Sequence, residues 1–330
     1  MLRAWRIWSL CGAIAAACAL LALLLGSSAL APADALRVLF APDDSAASQV
    51  LHQLRLPRVG AAFGTGALLA LAGALMQVLL RNPLAEPYVL GVSGGAAVGA
   101  LGAMVLGAAA WLVQAGAFGG ALLSVLLVFA VAHRELGHAI ATDGTEATPR
   151  LLLSGVMLAA FWTALVTLLL TLAPEGRIRG MLFWLAGDLG ATDAGAWPVA
   201  AAAALLLAVW PFTRSLNVLL RGVLIARSLG VPVVMLRRML YAVASLATAI
   251  AVTTSGAVGF IGLVVPHALR LAIGNDQRVL LPACALMGGS ALLLADTLAR
   301  TLLAPQQLPV GIVTALVGVP SFLVLLWRRR

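Results

Sequence analysis

Residues 81–100 read RNPLAEPYVLGVSGGAAVGA. The stretch lies between two apolar runs, yet it holds an arginine, an Asn-Pro, a Glu-Pro and four glycines. Proline has no N–H to donate and pushes the residue before it out of the α region. Pro83 and Pro87 therefore end the preceding helix and keep the next from starting early. Glycines 91, 94 and 95 then permit a tight return. A polar break of this kind is tolerated beside apolar spans only where it is buried in protein or lines a cavity.

The flanking runs set the class. The chain has 330 residues, 62% of them hydrophobic and 10% charged. A soluble domain has about 45–50% apolar and about 25% charged residues. Runs of about 18 or more apolar residues, each long enough to cross a bilayer, recur along the whole length. Helices satisfy their own backbone groups in lipid, so the expectation is an all-α polytopic membrane protein forming one domain over 1–330. Ten spans are predicted, at 7–30, 59–80, 89–108, 111–132, 150–173, 194–212, 233–253, 256–273, 279–303 and 309–327. The third and eighth are short and glycine-rich. The first could be read as a signal peptide, but its apolar run Ile7–Leu25 exceeds the usual stretch of about 7–15 residues, so a retained helix is expected.

All 21 basic residues are arginine. With the N-terminus in the cytoplasm and alternating spans, 15 arginines fall on the cytoplasmic side and 6 outside. The positive-inside rule favours that orientation, with both termini cytoplasmic. The net charge of +9 is thus a signal of topology, and no nucleic-acid binding follows from it.

Four connections exceed simple turns: 31–58 and 174–193 outside, 133–150 and 211–232 inside. The last, PFTRSLNVLLRGVLIARSLGVP, is basic and half apolar. Its prolines bracket two short helical pieces with Gly222 between them. It reads either as an amphipathic segment on the membrane surface or as a docking element for a soluble partner.

Several chemistries are disfavoured. Gly91-Val92-Ser93-Gly94-Gly95 matches the spacing of a nucleophile elbow, but that motif needs a strand before Ser93 and a histidine within reach. Gly91, Gly95 and Gly99 recur every four residues, the pattern of close helix packing. There is no lysine, hence no Walker lysine, so any ATP must bind elsewhere. Cys11, Cys18 and Cys284 lie in apolar spans and act as small hydrophobes. His52, His133, His138 and His267 lie near span ends, and no metal site is expected. Acids are scarce within the spans. Asp296 stands alone inside an apolar run, with Arg300 four residues on as an ion-pair partner. That scarcity argues against an ion-driven carrier.

LRLPR (54–58), RNPLAEPYVLGVSGGAAVG (81–99), ARSLGV (226–231), GFIGLVVPHALRLAIG (259–274), LADTLAR (294–300) and LPVGIVTALVGVPSF (308–322) resemble the FecCD-type permeases. These are the membrane subunits of ABC importers for ferric siderophores, haem and cobalamin. The resemblance runs from about residue 50 to the C-terminus and implies ten spans in a bacterial inner membrane. It also implies a homodimer, two separate ABC ATPase subunits that carry ATP and Mg, and a periplasmic substrate-binding protein. No cofactor is implied for this chain.

By the same resemblance, Asn82, Pro83 and Leu84 narrow the cytoplasmic end of the pathway, joined by Thr142 from the second inner loop. Arg214, Leu219, Arg221, Gly222, Ala226, Arg227, Leu229 and Gly230 belong to paired coupling helices that dock on the ATPase. Arg55, Arg58 and Arg300 fall where family arginines meet glutamates of the binding protein. Val223 and Leu224 replace acidic residues common in the family, and Gln307 replaces a glutamate. The rival functions are an ATP-independent carrier or channel, a membrane-embedded hydrolase using Ser93, and a non-transporting partner chain.

Overall fold

The computed structural model describes residues 2–26, 32–138, 147–190 and 194–327. In chain order its helices are α1 (Leu2–Leu24), α2 (Pro32–Phe40), α3 (Ala46–Gln49), α4 (Leu56–Leu79), α5 (Val92–Val105), α6 (Ala110–His138), α7 (Ala147–Leu172), α8 (Glu175–Leu185), α9 (Trp197–Val209), α10 (Thr213–Leu219), α11 (Val223–Ser228), α12 (Val233–Ser255), α13 (Ile261–Ile273), α14 (Gln277–Thr301) and α15 (Val310–Trp327). No strand occurs among the described residues.

Each predicted span has its helix: α1, α4, α5, α6, α7, α9, α12, α13, α14 and α15. Two of them are half-length and not prolonged by a further helical segment, as the 13-residue α9 is by residues 210–219. Helices α5 and α13 have 14 and 13 residues. At 1.5 Å per residue they rise about 20 Å, against a hydrocarbon core of about 30 Å. The expected spans 89–108 and 256–273 are therefore only partly helical. Pro87 and Gly91 delay the first, and a turn through Gly256 and Phe260, both at positive φ, delays the second.

Helix α4 is the hub. It packs against α1, α9, α12, α13 and α14 and is almost wholly buried. Lipid tails are as apolar as leucine, so hydrophobicity does not hold these helices together. Close van der Waals approach does, and small residues allow it. A methyl at Gly66 would strike the carbonyl of Gly288 on α14, and one at Gly73 the carbonyl of Gly262 on α13. Helices α5, α6 and α7 form a second group. There Gly95 lies against Gly120 and Gly99 against Gly116, which is the packing that the four-residue glycine spacing predicts.

Candidate functional site

After α4 the chain turns through Arg81, a non-glycine residue at φ 50. Asn82 closes an Asx turn, its Oδ1 accepting the Leu84 N–H at 2.9 Å. Asn82 and Leu84 are exposed and Pro83 half-buried, at the end of the bundle where α4 stops. The chain then climbs back inward. Pro87 packs on Gly262, which also touches Leu69 and Gly73 of α4. Those positions are six and ten residues inside the end of α4, about 9–15 Å at helical rise.

Backbone groups at that depth need partners. Ser124 donates to the Gly91 carbonyl at 2.8 Å and itself accepts from Trp162 Nε1 at 3.1 Å. Glu86 accepts the Phe260 N–H at 3.0 Å. The Tyr88 hydroxyl donates to the Val258 carbonyl at 2.9 Å and accepts the Val258 N–H at 3.1 Å. The two helix breaks, 80–91 and 256–260, are thus stitched to each other. Glu86 is a second acid at membrane depth. Its position in sequence, between two prolines and outside any apolar run, conceals that.

At the same end as Asn82, α10 and α11 form a helical pair separated by Gly222 at φ 136 and closed by Gly230 at φ 77. Leu216, Leu219, Val223 and Ala226 are buried and tie the pair to the bundle, whereas Leu224, Ile225 and Leu229 are exposed. Arg214 and Arg221 are exposed and Arg227 half-buried. A polar anchor fixes the pair: Asn217 donates to Asp276 at 2.7 Å and accepts the Gln277 N–H at 2.8 Å, at the α13–α14 junction. Asp276 also caps α14 and pairs with Arg278 at 2.9 Å. Hydrogen bonds from Arg278, chiefly from its side chain, hold the Asp276 carboxyl below its ordinary range.

The opposite end holds Arg55, Arg58 and Arg300. Asp296, with 0% of its side chain exposed, receives Arg58 at 2.8 Å and Arg300 at 3.2 Å. Arg58 also donates to Gln307 at 3.0 Å. Arg55 is buried and donates to the carbonyls of Leu23 and Leu24 at the end of α1, and Arg300 reaches Ala22. The arginines meet at one face, as their positions predict. The carboxylate that Arg58 and Arg300 meet is the chain's own Asp296, whereas Arg55 is turned to the end of α1, and both Arg55 and Arg300 are buried in the single chain.

The FecCD transport family model matches residues 14–328. The chain belongs to the FecCD transport family. Its relatives include the vitamin B12 import system permease protein BtuC of Escherichia coli O9:H4 (strain HS), 43% identical over 282 residues, which are 84% of this chain and 83% of that one. BtuC of Shigella boydii serotype 18 matches equally. Among solved structures, a metal-chelate type ABC transporter in an inward-facing conformation superposes with TM-score 0.83 at 28% identity, covering 98% of this chain and 99% of that chain. PsaBC from Streptococcus pneumoniae shares the fold at TM-score 0.56 and 19% identity, over 81% of this chain and 89% of that one.

This FecCD protein is a multi-pass transport subunit and not an enzyme. Ser93 sits in the first turn of α5, with no hydrogen-bonded histidine or acid among the described residues. No cluster of metal-ligating side chains occurs among the described residues. Val223, the first residue of α11, is buried, so an apolar residue suits it, while Leu224 faces outward. Thr142 lies outside the described residues. Sequence reasoning missed Glu86, Tyr88 and the Asn217–Asp276 anchor. The Glu-Pro pair was the one visible signal among them.

Proposed function

We propose that this chain is the permease subunit of an ATP-driven importer that carries cobalamin from periplasm to cytoplasm across the bacterial inner membrane. The observation that carries this reading is the 43% identity to vitamin B12 permeases over most of both chains.

In this mechanism two copies enclose a pathway. Helices α7 and α15 leave apolar faces largely unpacked, as a second copy or lipid requires. Asn82, Pro83 and Leu84 narrow the cytoplasmic end. The stitched breaks at Glu86–Phe260 and Tyr88–Val258 connect that narrowing to α12 and α13, and hence to the α10–α11 pair that α12 follows. Two ATPase subunits seat on Leu224, Ile225 and Leu229. ATP and Mg act there, and the motion is passed to the turn at Asn82. A periplasmic binding protein delivers cargo to the face that holds Arg58 and Gln307.

The test is uptake of labelled cobalamin, haem and ferric siderophores into cells lacking other importers and expressing this chain with its ATPase. ATP-dependent uptake of cobalamin alone supports the reading. Uptake of haem or a siderophore instead would reassign the cargo, and uptake without the ATPase would favour a carrier.

A further inference from the structure

Glu86 is half-buried, although the break that carries it, 80–91, runs at membrane depth where Pro87 packs on Gly262. Its Oε1 accepts the Phe260 N–H at 3.0 Å. Among the described residues no arginine pairs with it. The neighbouring elements fix the direction of its open side. The turn Pro87–Leu90, which follows it, packs on α7. Phe260, which holds its carboxylate, packs against Gly318 of α15. Glu86 therefore lies between α7 and α15, two helices with exposed outer faces, as at Phe161 and Leu316. A carboxylate at this depth is costly against lipid and faces protein or a water-filled cavity. Leu84, in the turn at the end of the bundle, is two residues away.

We propose that Glu86 lines the transport pathway on the membrane side of the Asn82–Leu84 narrowing, and that its carboxylate selects cargo rich in amide N–H donors over cargo that carries carboxylates. The choice of cargo rests on the cobalamin reading above. An ionised carboxylate only accepts hydrogen bonds. Its open oxygen can take one from the primary amides around the rim of a cobalamin. The same charge repels the propionates of haem and the anionic groups of a ferric siderophore. With Oε1 fixed on the Phe260 N–H, the other oxygen is oriented before cargo arrives. Selection at this point acts after the binding protein has released its cargo, so it adds to whatever that protein discriminates.

The experiment uses the assembled transporter in proteoliposomes, with one binding protein throughout. Uptake of cobalamin is compared with uptake of its monocarboxylate, in which one side-chain amide is hydrolysed. The wild type should prefer cobalamin. Glu86→Gln keeps an acceptor for the Phe260 N–H and removes the charge. It should shrink the preference about fivefold, the ratio for about 1 kcal/mol between unit charges about 4 Å apart in water. Glu86→Asp should keep most of the preference. A second readout needs no transport. In a chain whose buried Cys11, Cys18 and Cys284 are changed to alanine, the Glu86→Cys thiol should react with a charged, water-soluble methanethiosulfonate. The same preference in the wild type and Glu86→Gln would overturn the proposal. So would a thiol that is unreactive in the assembled dimer, and reaction in separated chains alone would give Glu86 to a contact between copies. Failure of the cobalamin reading by itself would appear as absent cobalamin uptake beside a reactive thiol, whereas efficient haem uptake by the wild type would overturn the selection.

Discussion

Asp296 holds two helices together through its charge. It is fully buried between two arginines from different helices, so it offsets one of their two positive charges and ties α4 to α14. Removing one member of such a set leaves a buried charge uncompensated, at about 3–5 kcal/mol. Asp296→Ala should therefore lower stability by about that amount, read as a large fall in melting temperature in detergent, and a shift typical of a surface substitution would refute the role. Half of this site is legible in sequence. Arg300 is Asp296's neighbour at i+4, but Arg58 lies 238 positions away and only the packing of α4 on α14 brings it in. Asp276 gives a pH-dependent counterpart. Its carboxyl is held below the ordinary range, so its contribution is present above about pH 4 and is lost as pH falls through the depressed value. Acid should then loosen the Asn217 anchor and expose 213–228 to protease. Asp276→Asn should expose it already at neutral pH and flatten the acid dependence. Equal acid sensitivity in both proteins would mean another group controls the segment.

Among the elements, the α10–α11 pair separates its faces cleanly. Leu224 and Leu229 are 63% and 66% exposed, whereas Ala226 is fully buried. Leu224→Glu with Leu229→Glu should leave permease stability within about 0.5 kcal/mol of wild type. The same pair should weaken ATPase retention by more than about 2 kcal/mol, about thirtyfold, because two charges would be buried in an apolar contact. Retention at wild-type strength in pull-downs would remove the docking assignment. The junction between helix breaks makes a different demand. Tyr88→Phe deletes both hydrogen bonds to Val258 and leaves its N–H and carbonyl short of a partner, a cost of about 1–3 kcal/mol. Denaturant unfolding should reveal that loss, and a neutral result would mean that water enters the junction. The existence of both elements is legible in composition: prolines and Gly222 frame the first, and Asn-Pro, Glu-Pro and Gly91 frame the second. Their depth is not. Proline and glycine report where a helix stops, but only the contact of Pro87 with Gly262 places the break inside the membrane.

For the whole molecule, arrangement follows from span number and charge. Among the described residues, seven helices are long and apolar enough to cross a membrane and three more are shorter. On the sequence expectation of ten crossings both termini lie on one side, and the expected split of 15 arginines to 6 assigns that side to the cytoplasm. The structure adds an independent constraint. Arg55, Arg58 and Arg300 converge with the end of α1 at one face, and Asn82 lies with the α10–α11 pair and the α13–α14 junction at the end of the bundle where α4 stops. Half-length helices are compatible with the alternation, because the non-helical chain at 80–91 and 256–260 supplies part of the crossings to which α5 and α13 belong. Alkaline phosphatase fused after Gly190 should therefore be active, since the enzyme matures only outside the cytoplasm, while a fusion after Arg330 should be inactive. A fluorescent protein that folds only in the cytoplasm should behave oppositely at the C-terminus. Active phosphatase at Arg330 as well as at Gly190 would require an even number of crossings between them instead of the five helices α9, α12, α13, α14 and α15, so that the short α13 would enter and leave by the same face. Activity at Arg330 alone would reverse the orientation, and either result would refute the assignment of the C-terminus to the cytoplasm.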